Sequence, residues 1–152
     1  MLGWVSGSFE EKRKMKKIFL ISIICIGWFT SFSQEQCELV VKVENIKKVK
    51  GSLKIAIYNH EDLFLSKEVM SDGRPIDANS MEFSFKGLGQ GVYAVSIYQD
   101  ENDNGELDAN FMGIPSEPYA FSNNAKGMFG PPSFEDCQFE LKSGVQEIVI
   151  SL

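Results

Sequence analysis

The stretch 100–108, DENDNGELD, contains the side chains with the most definite chemistry in this sequence. With Asp100 as position one, positions three, five and nine also carry oxygen-bearing side chains, and Gly105 stands at position six. Calcium binds six to eight oxygens at about 2.3–2.6 Å, and alternate side chains of a curled loop can converge on one ion. The spacing predicts a calcium site formed by the side chains of Asp100, Asn102, Asn104 and Asp108 and the backbone carbonyl of Glu106.

The stretch departs from an EF-hand loop in two respects. Position twelve is Phe111, where an EF-hand supplies a bidentate glutamate, and a predicted strand rather than a helix precedes the loop. We therefore expect modest affinity, with a dissociation constant of about 10⁻⁴–10⁻³ M. The missing ligand would come from Glu117, Glu135 or Asp136, which the sequence does not rank. A metal-free polar hairpin remains the alternative, because Asn-Gly favours hairpins and Asp and Asn bond to nearby backbone.

Other catalytic or metal chemistry has less support. His60 is the only histidine, which excludes histidine-rich zinc or copper sites. A small glycan hydrolase is an alternative that would use Glu117 or Glu135 with Asp108, since such enzymes need two carboxyl groups about 5–10 Å apart. Carboxylate pairs also arise by chance in so acidic a chain, so the leading expectation is a protein without catalytic activity.

An export signal is predicted near the N-terminus. Residues 15–33 combine two lysines, a short apolar run and a small-residue cleavage site, so cleavage is expected before Gln34. The apolar run is too short to span a bilayer of about 30 Å, so no stable membrane insertion is expected after cleavage. Residues 1–14 would then be a mis-called start, and 34–152 a single domain in the periplasm, at the cell surface or outside the cell.

The predicted mature domain is acidic and has two cysteines. It contains 10 of the 15 lysines and arginines and 19 of the 21 acidic residues, which gives a formal charge of −9. Such a surface repels phosphate backbones, so nucleic-acid binding is not expected. Cys37 and Cys137 are predicted to form a disulfide, because exported proteins meet oxidising conditions and the count is even. The alternative is two thiols on facing strands.

Period-two alternation of apolar residues predicts an all-β fold. The pattern appears around 39–43, 53–57, 83–85, 93–97, 139–141 and 148–152. It indicates an antiparallel β-sandwich of about seven strands, immunoglobulin-like or prealbumin-like. Turn residues predict hairpins at 48–51 and 142–145. Residues 87–91 should form a loop that brings Tyr93 into the core, and 60–66 a helical turn anchored by Phe64 and Leu65.

The alternation fails between 113 and 134, which is rich in proline, glycine and aromatic residues. Long irregular loops in compact domains are often functional. The aromatic residues either cover an open edge of the sandwich or form a surface that binds a glycan or a cell-surface protein. A glycan- or peptide-binding module without metal is therefore an alternative function. The residues of that possible ligand surface are Glu117, Tyr119, Phe121, Phe129 and Phe134.

Several short motifs together resemble those of a known family. They are Gly91-x-Tyr93-Ala94-Val95, the 100–108 stretch, Gly113-Ile114-Pro115-x-Glu117, Phe121-Ser122-Asn123-Asn124 and Pro132-Ser133-Phe134. Across about 39–152 the chain resembles a family of uncharacterised exported bacterial proteins, catalogued as a domain of unknown function. Its signal sequence is similar to those of Bacteroidetes. The resemblance implies an exported sandwich with no established activity. The strand followed by D-x-N-x-N-G also resembles calcium-stabilised B-type repeat domains of bacterial adhesins.

Overall fold

The computed structural model describes residues 37–152, which form an all-β sandwich. The predicted mis-called start and signal peptide lie outside the described residues. The strands are β1 Cys37–Glu44, β2 Ser52–Tyr58, β3 Met70–Pro75, β4 Met81–Leu88, β5 Gly91–Asp100, β6 Tyr119–Phe121, β7 Phe139–Leu141 and β8 Gly144–Ser151. Short helical segments are the 3₁₀ turns Glu61–Leu63 and Ser122–Asn124 and the helix α1, Phe134–Cys137.

The strands form one sheet of three and one of five. In the first sheet the order is β4-β1-β8, with β1 antiparallel to β4 and parallel to β8. In the second the order is β3-β2-β5-β6, and β7 pairs with the first residues of β5. The all-β sandwich prediction is confirmed, with eight strands in the described region instead of about seven. The β1–β8 pair departs from the expected antiparallel arrangement.

The core lies between the sheets and follows the alternation in the sequence. Strand β1 alternates fully buried and half-buried residues along its whole length, and β2 does so along most of its length. The fully buried side chains include Leu39, Val41, Leu53, Ile57 and Phe83. Burying each such side chain contributes about 1.5–3 kcal/mol, so the two facing stripes are the main stabilising element of the fold.

Neither predicted hairpin forms. Residues 48–51 lie between β1 in the first sheet and β2 in the second, and 142–143 lie between β7 in the second sheet and β8 in the first, which already begins at Gly144. Turn residues mark where a strand ends, but they do not choose the next strand's partner. In a sandwich, consecutive strands can belong to opposite sheets, and here burial of both apolar faces decides the pairing.

The two other local predictions agree with the structure in most respects. Tyr93 is buried, and its hydroxyl donates a 2.9 Å hydrogen bond to the carbonyl of Gly89 in the preceding loop. The predicted helical turn is the 3₁₀ turn Glu61–Leu63. Phe64 anchors it against Tyr58 and two further aromatic rings, whereas Leu65 is largely exposed and does not act as an anchor.

The predicted disulfide is not present in the described residues. Cys37 begins β1 and belongs to the core between the sheets. Cys137 ends α1 and lies in a second apolar cluster with Tyr58, Phe121 and Phe134. Each cysteine is therefore buried against a different set of side chains. The even number of cysteines does not reveal this arrangement. Within residues 37–152 no helix is long and apolar enough to cross a membrane.

Candidate metal centre

Strand β5 delivers Asp100 to the base of the 100–108 loop. Its side chain is fully buried, and both carboxylate oxygens accept backbone hydrogen bonds. Oδ1 accepts from the N–H of Asn104 at 3.1 Å and Oδ2 from the N–H of Gly105 at 2.8 Å. Gly105 has φ of +86°, a conformation that glycine adopts without a steric penalty. Asp100 thus closes the reversal at position six, where the spacing predicts a sharp turn at Gly105.

The remaining predicted side chains converge on Asp108. Nδ2 of Asn102 donates to one Asp108 oxygen at 2.7 Å, and Nδ2 of Asn104 donates to the other at 3.1 Å. The carboxamide oxygens accept backbone N–H groups within the loop, from Asn104 at 3.1 Å and from Glu106 at 2.8 Å. All five predicted ligand residues are therefore connected through one hydrogen-bond network, and the structure brings them together.

Glu117 holds the two ends of the loop together. Its carboxylate is buried, with Oε1 accepting from the N–H of Glu101 at 2.8 Å and Oε2 from the N–H of Asp108 at 2.9 Å. Ser116 adds two hydrogen bonds to the carbonyl of Asp108. Among the three candidates for the missing ligand, Glu117 is the one that contacts the loop, but it does so by binding backbone at both ends.

The other two candidates lie on α1 and form no hydrogen bond or ion pair with the loop within residues 37–152. Asp136 forms a capping box with Ser133 at the start of α1, and Glu135 is an exposed residue of the same helix. Phe111, at position twelve, is 97% exposed. The structure therefore identifies no bidentate carboxylate in the place that completes an EF-hand.

The loop concentrates negative charge. Of its acidic residues only Glu101 forms an ion pair with a described residue, through Lys48 at 3.0 Å. The negative charge of the loop also affects Tyr98, whose hydroxyl donates a hydrogen bond to the carbonyl of Gly105 at 3.0 Å. The pKa of Tyr98 is raised, first by partial burial and then by the negative charges of Asp100, Glu117 and Glu106. The tyrosine is therefore a natural reporter of charge in this loop.

The loop offers oxygen donors but few charged ones. Among the described residues, no three carboxylate, imidazole or thiolate groups gather at metal-binding distance. The loop combines the carboxylates of Asp100 and Asp108 with carboxamide oxygens of Asn102 and Asn104. These are oxygen donors of the kind that calcium accepts and that softer metals do not prefer.

Comparison with known proteins identifies a family. The model of a family described as "Uncharacterized protein conserved in bacteria (DUF2141)" matches residues 41–149. The chain belongs to the DUF2141 family. The match includes most of the sandwich, the 100–108 loop and the whole of 113–134. No curated protein and no solved structure matches the chain.

Several residues of the motifs that resemble the DUF2141 family form hydrogen bonds that hold the fold together. Ser122 is buried, accepts from the N–H of Val95 and donates to the carbonyl of Cys137. Asn123 donates to two backbone carbonyls around α1. Ser133 caps α1. Ser122 thus attaches the irregular segment to β5, and Asn123 and Ser133 fix the position of α1, roles that spacing alone did not identify.

The predicted ligand surface is divided by the structure. Phe121 and Phe134 are buried in the second apolar cluster, and Glu117 is buried beneath the loop. Only Tyr119, 42% exposed, and Phe129, fully exposed, present aromatic surface. Three of the five residues are therefore buried, because β6 and α1 pack Phe121 and Phe134 against β5 and its neighbours and Glu117 binds the backbone of the 100–108 loop.

Proposed function

We propose that this protein is an exported, non-enzymatic β-sandwich module that binds calcium at 100–108 and a partner through 113–134. The proposal takes the sandwich to be immunoglobulin-like or prealbumin-like and the loop to act as in the calcium-stabilised adhesin repeats that it resembles. The observation that carries the calcium part is the convergence of Asp100, Asn102, Asn104 and Asp108 around the turn at Gly105.

The two asparagines make this network adaptable. Without a cation, their Nδ2 groups donate to both oxygens of Asp108 and offset its charge. Rotation of each carboxamide would present oxygen instead of nitrogen and so provide ligands for a cation beside Asp108. Because Glu117 already holds the loop ends, little chain ordering would accompany binding, and the role would be loop stabilisation rather than signalling.

Calcium titration of the thermal melt tests the proposal. Calcium at tenfold above its dissociation constant should stabilise the native state by about 1.4 kcal/mol, because it binds folded protein only. Asp108→Asn should abolish the effect. Asp103→Asn removes the same charge from the same loop at a non-ligand position, where Asp103 accepts a hydrogen bond from Ser52. It should retain calcium binding, and equal loss in both variants would indicate a diffuse charge effect.

Tyr98 supplies a second measurement. A bound divalent cation should offset the surrounding carboxylates and lower the pKa of Tyr98 toward its ordinary value. Ultraviolet titration of the phenolate, with Tyr98→Phe to assign the signal, should show this shift. The pKa of Tyr93 is raised by burial and then by Cys37, so it should not respond to calcium. If saturating calcium changes neither the melting temperature nor the pKa of Tyr98, the proposed metal site is refuted.

A further inference from the structure

A groove runs beside the edge strand β6. It has a volume of about 730 Å³ and is lined by residues 117–121, 124–127, Pro132, Lys47 and 151–152. Successive side chains of a strand point to opposite faces of the sheet. Because residues 117–121 all line the groove, the groove follows the edge of the strand. At this edge the backbone is accessible as well as the side chains.

The backbone of β6 has hydrogen-bonding groups directed toward this groove. β5 is the only strand that pairs with β6 among the described residues. The N–H of Gln99 donates to the carbonyl of Pro118 at 2.9 Å, so residues 118 and 120 face β5. By alternation, the N–H and C=O of Tyr119 and the N–H of Phe121 point away from β5. Such an edge is a template for an additional strand.

The groove also contains unpaired positive charge. Lys47 and Lys126 line it, are exposed, and form no ion pair with any residue in 37–152. Four other lysines do form such pairs, namely Lys42, Lys48, Lys86 and Lys142. Glu117 also lines the groove, but its carboxylate is buried and both oxygens accept backbone N–H groups. The exposed charges on the groove are therefore those of the two lysines, which favour an anionic occupant.

An apolar turn adjoins the groove. A Cβ on Gly127 would overlap the carbonyl oxygen of Gly130, so these two residues approach closely and close the turn. Met128 and Phe129 stand between them and are 89% and 100% exposed. Large apolar side chains with this exposure, beside an open strand edge, are typical of a binding surface.

We propose that the groove binds an extended acidic segment of a partner protein, which adds as a strand to β6 and places carboxylates near Lys47 and Lys126. The outward backbone groups favour a peptide, since they match the hydrogen-bonding pattern of an added strand. The inference rests on the proposed partner-binding role of 113–134 and is independent of calcium binding.

The test uses two synthetic heptapeptides, one alternating glutamate and valine and one alternating lysine and valine, titrated into ¹⁵N-labelled protein. The glutamate peptide should slow hydrogen exchange at the amides of Tyr119 and Phe121, and the lysine peptide should not. The double variant Lys47→Glu/Lys126→Glu should weaken binding at least about tenfold. Lys67→Glu, the same substitution at a single position outside the groove, should leave affinity within about twofold.

Each contrary result has a distinct meaning. No binding of the glutamate peptide, equal binding of the lysine peptide, or equal loss in Lys67→Glu would overturn the proposed groove. Binding that is lost in Phe129→Ser but retained in the double lysine variant would keep 113–134 as a partner surface and reject the groove. An oligogalacturonide, an acidic glycan, is the remaining comparison. If it shifts the Lys47 and Lys126 signals without protecting the amides of Tyr119 and Phe121, and the glutamate peptide does not bind, the occupant of the groove is an acidic glycan and not a peptide.

Discussion

At the scale of single residues, Glu117 links the irregular segment to the 100–108 loop. Its two oxygens accept the N–H groups of Glu101 and Asp108, which lie at opposite ends of the loop. A buried carboxylate that binds two backbone donors contributes more than a neutral acceptor would, because both hydrogen bonds are charge-assisted. Sequence spacing marked Glu117 as a possible ligand, but its position makes it the residue that keeps the loop closed.

Glu117→Gln should lower the free energy of unfolding by about 1–3 kcal/mol. The amide nitrogen that replaces one oxygen faces a backbone N–H and leaves that partly buried donor without an acceptor. Chemical denaturation should detect the loss with and without calcium. Glu135→Gln is the matched control, because Glu135 is exposed on α1. Similar stability of the two variants would contradict the role assigned to Glu117.

At the scale of elements, the start of β2 and the end of β5 approach closely at Gly51. Gly51 has φ of +69°, and a Cβ there would overlap the carbonyl oxygen of Asp100. Gly105 has φ of +86°, but a Cβ there would have no neighbour within 4 Å. Both glycines have a left-handed backbone, but only Gly51 lies against another strand. Comparing substitutions at the two positions therefore separates the cost of the backbone conformation from the cost of a steric clash with β5.

Gly105→Ala should destabilise the protein by about 1–2 kcal/mol through its backbone conformation alone. Gly51→Ala should cost about 1–3 kcal/mol more, because the methyl group must displace the backbone that carries Asp100. Denaturant unfolding of both variants gives the difference directly. Equal effects would show that β2 and β5 separate at this point with little cost.

Element pairing is also where sequence reasoning failed. The alternating residues of β1, β2, β4, β5 and β8 were identified, because burial of one face imposes a period of two on the strand itself. The short strands β3 and β6 have no such signal: β3 is largely exposed, and β6 has three residues. The hairpins predicted at 48–51 and 142–145 were wrong because the adjoining strands find partners far along the chain.

At the scale of the whole molecule, a buried thiol and two partly buried phenols have raised pKa values, and these lower the stability of the fold at alkaline pH. Burial, with a smaller contribution from Asp136, raises the pKa of the Cys137 thiol from 9.0 to about 11. Between these values the unfolded chain releases this proton and the folded chain keeps it, so stability should fall as pH rises. Burial likewise raises the pKa of Tyr93 and Tyr98, which extends the same trend upward.

Unfolding free energies measured with a reductant between about pH 8 and 11 should therefore decrease, and Cys137→Ala should flatten the decrease between 9 and 11. The readout is the slope against pH, which the cavity left by the substitution does not change. Thiol reagents should modify Cys137 slowly in the folded protein, because the reactive thiolate is scarce. An unchanged slope in Cys137→Ala would assign the alkaline loss to other groups.

The sequence by itself determined which residues face the core and which positions of 100–108 could surround a cation. Both are local patterns, set by the alternation of a strand and by the geometry of a short loop. Only the tertiary structure decided the parallel pairing of β1 with β8, the role of Glu117, the burial of Phe121 and Phe134, and the lysine-lined groove beside β6. Each of these brings together residues distant in the chain, and their proximity depends on how the two sheets bury their apolar faces together.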